Sequence, residues 1–293
     1  MFDLKEEAEK IASNIRNLDR NRTWSIAITA PWGTGKTSFM NMIIEHVKTA
    51  HRDDFEFVQF NPRDCKSYHS IQEEFFTQLS CILSKYDSRC SSTVKDYMAS
   101  LQLIDNRGII EKMSNFYRIW DKAELREKIG KAFESLLKRV LVVIDDFERL
   151  SKEEILEVLK LIDSNAAFNN LIFLTAYDKK QVNKALGDTY KTEDACFVDK
   201  FFSLEFQIPS RPYTYISQFI IDNMCAMMDA DSSEKTLIAN VVNNRRRMLQ
   251  DYVTTLRDAK RFVNQVVMDY MQVRGDVIVS EYILVELLKY RYP

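Results

Sequence analysis

Short apolar runs alternate along this chain with longer stretches in which apolar residues recur every three or four positions. Ser25–Thr29, Val140–Ile144 and Leu171–Leu174 read as strands covered on both faces, and the last runs on through Thr175-Ala-Tyr-Asp178. Phe55-Glu-Phe-Val-Gln-Phe60 alternates as a strand and is closed by the Asn61-Pro62 turn signal, while Phe202–Ile208 stops at Pro209. Between them lie helical patterns. Leu4, Ala8, Ile11, Ile15 and Leu18 mark a first helix, with Asp3 and Glu6 spaced for a capping box; Phe39, Met40, Ile43, Ile44 and Val47 mark the next. Segments near 70–86, 92–104 and 110–138 carry helix-spaced Ile71, Phe75, Leu79, Phe116, Ile119, Trp120 and Ala123, whose aromatic content reads as core. Ser151 and Glu154 form a capping box before Ile155, Val158, Leu159 and Ile162.

Strands interleaved with helices predict an α/β fold, a parallel five-stranded sheet sandwiched by helices. The domain expectation is 1–209 for the α/β part, with a helical insert at about 67–138 before the paired aspartates, and 210–293 for an all-helical part. The helices expected there are 213–229, 232–250, 254–273 and 279–290.

Composition narrows the class. The 293 residues, 46% of them hydrophobic, supply ample core, and 41 basic against 43 acidic residues leave a net charge of −2. That balance argues against general attraction to nucleic acid or anionic lipid. The five cysteines, Cys65, Cys81, Cys90, Cys196 and Cys225, are odd in number and lack C-x-x-C spacing, which fits a reducing, cytoplasmic setting. His46, His51 and His69 have no metal-ligand spacing. No apolar run approaches the ~18 residues of a membrane span, and the acidic amino terminus does not resemble a signal peptide.

Candidate chemistry begins where the first strand ends. Ala30-Pro-Trp-Gly-Thr-Gly-Lys-Thr-Ser38 couples a strand to a helix through a glycine-bearing turn. Gly33 and Gly35 can adopt angles that direct successive N–H groups inward around a phosphate chain. Lys36 adds a cation, Thr37 a hydroxyl for magnesium, and the helix its positive dipole end. The P-loop pattern Gly-x-x-x-x-Gly-Lys-Ser/Thr places a glycine where this chain has Ala30, so strand and helix context carries the reading against an ordinary surface turn. Asp145 and Asp146 follow a buried strand at its carboxyl end, where open α/β sheets bind ligands; a salt-bridged strand end is the plainer alternative. Thr175 and Asp178 suit either a polar sensor of the γ-phosphate or, for Asp178, a helix cap. Arg149 reads first as a surface ion pair and second as an arginine finger to a neighbouring subunit. Leu256, Ala259, Phe262, Val263 and Val266 mark a buried helix face that leaves Arg257, Lys260 and Arg261 outward. With Arg245, Arg246 and Arg247 they form a basic cluster, which reads as a solvated helix end ahead of a nucleic-acid or partner surface.

In order along the chain, Ala-Pro-Trp-Gly-Thr-Gly-Lys-Thr-Ser (30–38), Phe-Asn-Pro (60–62), Val-Val-Ile-Asp-Asp-Phe-Glu-Arg-Leu (142–150), Thr-Ala-Tyr-Asp (175–178), Asp-Lys-Phe-Phe-Ser-Leu-Glu-Phe-Gln-Ile-Pro (199–209) and Leu-Arg-Asp-Ala-Lys-Arg-Phe-Val-Asn (256–264) resemble the KAP family of P-loop NTPases. The Trp-Gly-x-Gly-Lys-Thr-Ser and Asp-Asp-Phe-Glu-Arg wordings are the specific part. Ala30 and Arg63 depart from the usual glycine and tryptophan. Many relatives carry membrane helices between the P-loop and the paired aspartates, where a soluble helical insert is expected in this chain. The resemblance implies that such proteins continue past Leu-Leu-Lys-Tyr-Arg-Tyr-Pro (287–293), so the expectation is a truncated chain or a short gene product.

Phosphoryl transfer to water asks mainly for positioning and charge neutralisation. The expected nucleotide contacts are Trp32, Gly33, Thr34, Gly35, Lys36, Thr37, Ser38, Thr175 and Asp178, with Lys36 on the β and γ phosphates. Thr37 and Asp145 orient magnesium, and Asp146 positions or deprotonates the water. Arg257 resembles a lid arginine that reaches the nucleotide. The expected activity is ATP hydrolysis that moves the helical lid and drives conformational change or oligomer assembly, alone or with a protein partner. An ATP-locked regulatory scaffold and a nucleic-acid motor or loader are the alternatives. No Asn-Lys-x-Asp motif favours GTP, and the family resemblance implies antiviral defence or membrane-associated signalling as settings.

Overall fold

Aliphatic runs form the centre of the sheet in this computed structural model, which describes residues 4–86, 127, 130, 131, 138–164, 168–187, 197–209 and 211–291. The strands are β1 (Trp24–Thr29), β2 (Phe55–Gln59), β3 (Arg139–Ile144), β4 (Leu171–Tyr177) and β5 (Leu204–Gln207). Every residue of β3 and β4 is buried, which is why neither shows a polar alternation. All neighbours pair in parallel in the order β2-β3-β4-β1-β5. β4 therefore lies between β1 and β3. Ala27 of β1 and Ile144 of β3 are both in register with Thr175 of β4, so the segments following β1 and β3 leave the sheet at one edge. Ligands bind at that edge in open α/β sheets.

Among the described residues, five helices cover the sheet: α1 (Leu4–Asn17), α2 (Lys36–Ala50), α3 (Ile71–Leu83), α4 (Lys152–Ser164) and α5 (Lys179–Leu186). Alternate strand residues serve opposite faces. Ile26, Ile28, Leu141, Val143, Ile172 and Leu174 pack with α1 and α2; Ala27, Val140, Val142, Leu171 and Phe173 pack with α3, α4 and α5. Arg139 is buried at the start of β3 and donates to the carbonyls of Ile15, at 2.8 Å, and Leu18, so its charge ties the end of α1 to the sheet. The capping box before α4 is present: Glu154 N–H donates to Ser151 Oγ at 3.3 Å and Ser151 N–H to Glu154 Oε2 at 2.7 Å.

The chain forms two compact units, residues 1–31 with 36–208 and residues 32–35 with 209–293. The helices of the second are α6 (Tyr213–Met227), α7 (Ser232–Asn244), α8 (Arg246–Tyr252), α9 (Leu256–Val273) and α10 (Val279–Arg291). They enclose their own core around Ile220, Met224, Ile238, Val242, Phe262, Val266 and Ile283. Capping boxes set two of their starts, Asp231 with Glu234 and Thr255 with Asp258.

Two expected elements differ. The helix anticipated over 232–250 divides at Arg245, whose φ of −106° and ψ of 22° leave the helical region after two asparagines of low helix propensity. The fifth strand begins at Leu204, because Phe197–Phe201 form a 3-10 turn that Phe202 N–H closes by donating to the Asp199 carbonyl at 3.2 Å. The expected helix 92–104 and most of 110–138, including Phe116, Ile119, Trp120 and Ala123, lie outside the described residues, as do Asp3, Cys90 and Cys196.

Candidate functional site

Residues 30–35 join β1 to α2. Gly33 and Gly35 take φ of 83° and 99°, a conformation that L side chains rarely adopt. Space adds to the requirement at Gly33, where a Cβ would lie 2.8 Å from Thr255 Oγ1, whereas nothing lies within 4 Å of one at Gly35. Ala30 sits where the P-loop pattern has glycine, but it has no positive φ; its methyl is buried in the α1–α2 core layer. Within the second unit the Arg257 guanidinium stacks 4.6 Å from the ring centroid of Trp32.

α2 begins at Lys36, with no acidic residue in its first turn to offset its positive end. Thr37 and Ser38 are exposed there, while Lys36 is only 7% exposed. Its ammonium is held by a carboxylate that the sequence reading did not single out, Glu148 Oε1 at 2.9 Å, on a side chain 4% exposed. The second oxygen of that carboxylate, Oε2, is buried with no hydrogen-bond partner among the described residues. Sequence carried two signals for Glu148, its place as the third acidic residue after β3 and its presence in the Asp-Asp-Phe-Glu-Arg run.

The turn after β3 sorts its acids by geometry. Asp146 has φ of 55° and ψ of 30°, a left-handed conformation that aspartate tolerates better than most residues. Its N–H donates back to Asp145 Oδ1 at 2.8 Å, and its own carboxylate, about a third exposed, pairs with Arg149 at 3.0 Å. Phe147 is fully buried next to it, edge-on to Tyr177. The sharp turn thus leaves Asp146 with Arg149 at the surface and Glu148 inward with Lys36.

On β4, Thr175 is fully buried and its Oγ1 has no hydrogen-bond partner among the described residues. Asp178 is the N-cap of α5 and accepts from Lys180 N–H at 2.9 Å and Gln181 N–H at 3.4 Å. Thr29, at the end of β1, donates to Glu205 at 2.9 Å, and Lys179 bridges Glu205 and Asp199 at 2.8 and 2.9 Å. Burial opposes both charges of the Lys179–Glu205 pair, but the hydrogen bonds outweigh it, raising the Lys179 pKa and lowering that of Glu205. Among the described residues no cluster of His, Cys, Asp and Glu is placed to hold a metal by itself, and no helix is long and apolar enough to cross a membrane.

A glycine-bearing turn after β1, an acidic turn after β3 and the order β2-β3-β4-β1-β5 define a P-loop NTPase fold. The model described as the KAP family P-loop domain matches residues 4–273, and the chain belongs to that family. It is similar to the phage T7 exclusion protein of Escherichia coli strain K12, 20% identical over 327 residues that cover 98% of this chain and 44% of that protein. The chain thus spans less than half the length of that relative. Similar solved structures include a mutant of Thermotoga maritima RuvB, at 10% identity and TM-score 0.44 over 98% of this chain and 68% of that one. Domain III of the Thermotoga maritima replication initiation protein DnaA gives 12% and 0.46, over 100% and 95%. The Aeropyrum pernix ORC1 protein, solved in complex with DNA, gives 13% and 0.49, over 98% and 64%.

Proposed function

We propose that this chain is an ATPase that binds Mg-ATP on the 30–38 loop and uses hydrolysis to drive conformational change or assembly. The observation that carries the reading is a buried lysine at the first residue of α2, reached through two left-handed glycines and facing the acidic turn after β3. Main-chain N–H groups of Trp32, Gly33, Thr34 and Gly35, with those at the start of α2, cradle the phosphates. Lys36 neutralises the β and γ phosphates. Arg257 acts through the loop tip by holding Trp32. Thr175 senses the γ-phosphate, and Asp178 shapes the start of α5.

The donor set fits a hard divalent cation. Thr37 and Asp145 offer oxygen ligands only, and phosphate and water oxygens complete the shell magnesium requires. The orphaned hydroxyl of Thr175, fully buried at the same sheet edge, also fits a site that binds a further polar group. Magnesium held by Thr37 and Asp145 would supply neutralisation of phosphate charge, while the protein's own groups do the positioning. Asp146 orients the attacking water and accepts its proton once its carboxylate exchanges Arg149 for that water. Arg149, released, is available to phosphate charge in this or a neighbouring subunit.

A role in phage exclusion is supported by the name of the Escherichia coli relative and extends beyond the part of that protein this chain matches; the cytoplasmic setting and the homo-oligomer or protein partner belong to the same proposal. The ATPase reading is tested by phosphate release from Mg-ATP by purified protein, alone and after nucleotide-induced assembly followed by single-particle mass measurement. Turnover that disappears in Lys36→Ala supports it. Binding without turnover above Lys36→Ala, in every assembled state, replaces it with an ATP-locked scaffold.

A further inference from the structure

We propose that Glu148 is a positioning residue for the phosphate lysine: it holds Lys36 while the site is free of nucleotide and competes with the phosphates for it. The inference rests on the nucleotide-binding reading above and adds what sets the affinity of that site. The pair is short and almost wholly out of water, at 2.9 Å with side chains 7% and 4% exposed. Surface ion pairs hold little, but an ammonium and a carboxylate removed from water depend on each other, since either left alone is an uncompensated buried charge. Lys36 is therefore not a free cation awaiting phosphate. Nucleotide binding must take it from Glu148.

The carboxylate is only half satisfied. Oε1 meets Lys36, while Oε2 is buried without a hydrogen-bond partner among the described residues, so Glu148 lacks the extra donors that a purely structural buried ion pair collects. The turn does not depend on it for shape either. Fully buried Phe147 packs on Tyr177, and Asp146 pairs with Arg149 across the same turn. What Glu148 contributes is negative charge beside the phosphate lysine. A polyphosphate outcompetes one carboxylate for Lys36 but then lies near a carboxylate that has lost its cation. Glu148 thereby weakens binding of both ATP and ADP and keeps the site exchangeable.

Two readouts separate this inference from the reading on which it rests. The first needs no nucleotide: acylation of Lys36 by an amine-reactive reagent, followed by peptide mass spectrometry, is slow in the wild type and several-fold faster in Glu148→Gln. The second is calorimetric titration with Mg-ADP and a slowly hydrolysed Mg-ATP analogue, which bind Glu148→Gln about tenfold more tightly. Glu148→Asp, with the charge kept on a shorter arm, falls between wild type and Gln in both. Should Glu148→Gln not fold, the Asp variant alone decides by the same direction. In steady state, KM falls and kcat falls with it, because product leaves more slowly. Unchanged Lys36 labelling, or equal or weaker nucleotide binding by folded variants, overturns the role of Glu148. If wild type binds no better than Lys36→Ala while labelling still responds to Glu148, the nucleotide-binding reading has failed and the competition with it, and only the ion pair stands.

Discussion

Phe147 lies edge-on against Tyr177, their ring centroids 5.5 Å apart, and joins the acidic turn after β3 to the end of β4. Both rings are fully buried. Since Asp146 and Glu148 flank Phe147, this packing fixes which acid faces outward. Phe147→Ala is expected to destabilise the protein by about 3–5 kcal/mol, the usual cost of emptying a core phenylalanine site. Lys36 should also become more reactive toward acylation. Chemical denaturation gives the first value, and native labelling with unchanged Lys36 reactivity would show that the turn holds without its anchor.

Gly33 and Gly35 differ in a testable way. Both have positive φ, so alanine at either costs about 1–2 kcal/mol of backbone strain. At Gly33 the added Cβ also meets the Thr255 side chain at 2.8–3.2 Å. Thermal melts are expected to rank wild type above Gly35→Ala and Gly35→Ala above Gly33→Ala. Equal melting of the two variants would mean that Thr255 does not limit the loop.

The Lys179–Glu205 pair predicts a pH window. Lys179 has a raised pKa, so its contribution is complete below its unfolded value of about 10.5 and is lost as pH rises through the higher folded value. Glu205 has a lowered pKa, so its contribution is complete above about 4.5 and is lost as pH falls through the lower folded value. Lys179→Met should cost about 0.5–1 kcal/mol between those limits, as for a partly exposed pair, and progressively less in acid. Denaturation midpoints at pH 7 and pH 3 measure it; an equal loss at both would assign the effect to packing.

Thiol chemistry should discriminate sharply between two cysteines. Burial, then the negative charge and hydrogen bond of Glu74, push the Cys65 thiol up to about 12, and Asp64 and Glu154 add to the effect. Cys81 is exposed. Iodoacetamide at pH 8 followed by peptide mapping should modify Cys81 long before Cys65. Comparable rates would show that the Glu74 contact opens in solution.

Hydrophobic pattern alone was enough for the sheet, because buried parallel strands must be apolar on both faces and only a few residues long. Val140–Ile144 could be nothing else. The glycine turn before Lys36 was equally plain, since two glycines and one cation between a strand and a helix are visible in the residues themselves. Strand direction was legible too, but strand order was not: that β4 separates β1 from β3 depends on where crossovers pack, which no local residue records. Nor did the run Asp145-Asp146-Phe147-Glu148-Arg149 reveal which acid serves which partner. In sequence the paired aspartates stand out, and Glu148 resembles a surface residue beside Arg149. A left-handed turn at Asp146, held by a buried phenylalanine, reverses that impression by sending Asp146 to Arg149 and Glu148 to Lys36. The sequence determined which groups were available to a phosphate site; tertiary packing decided their pairings, because pairing depends on chain direction after a turn and on exclusion of water.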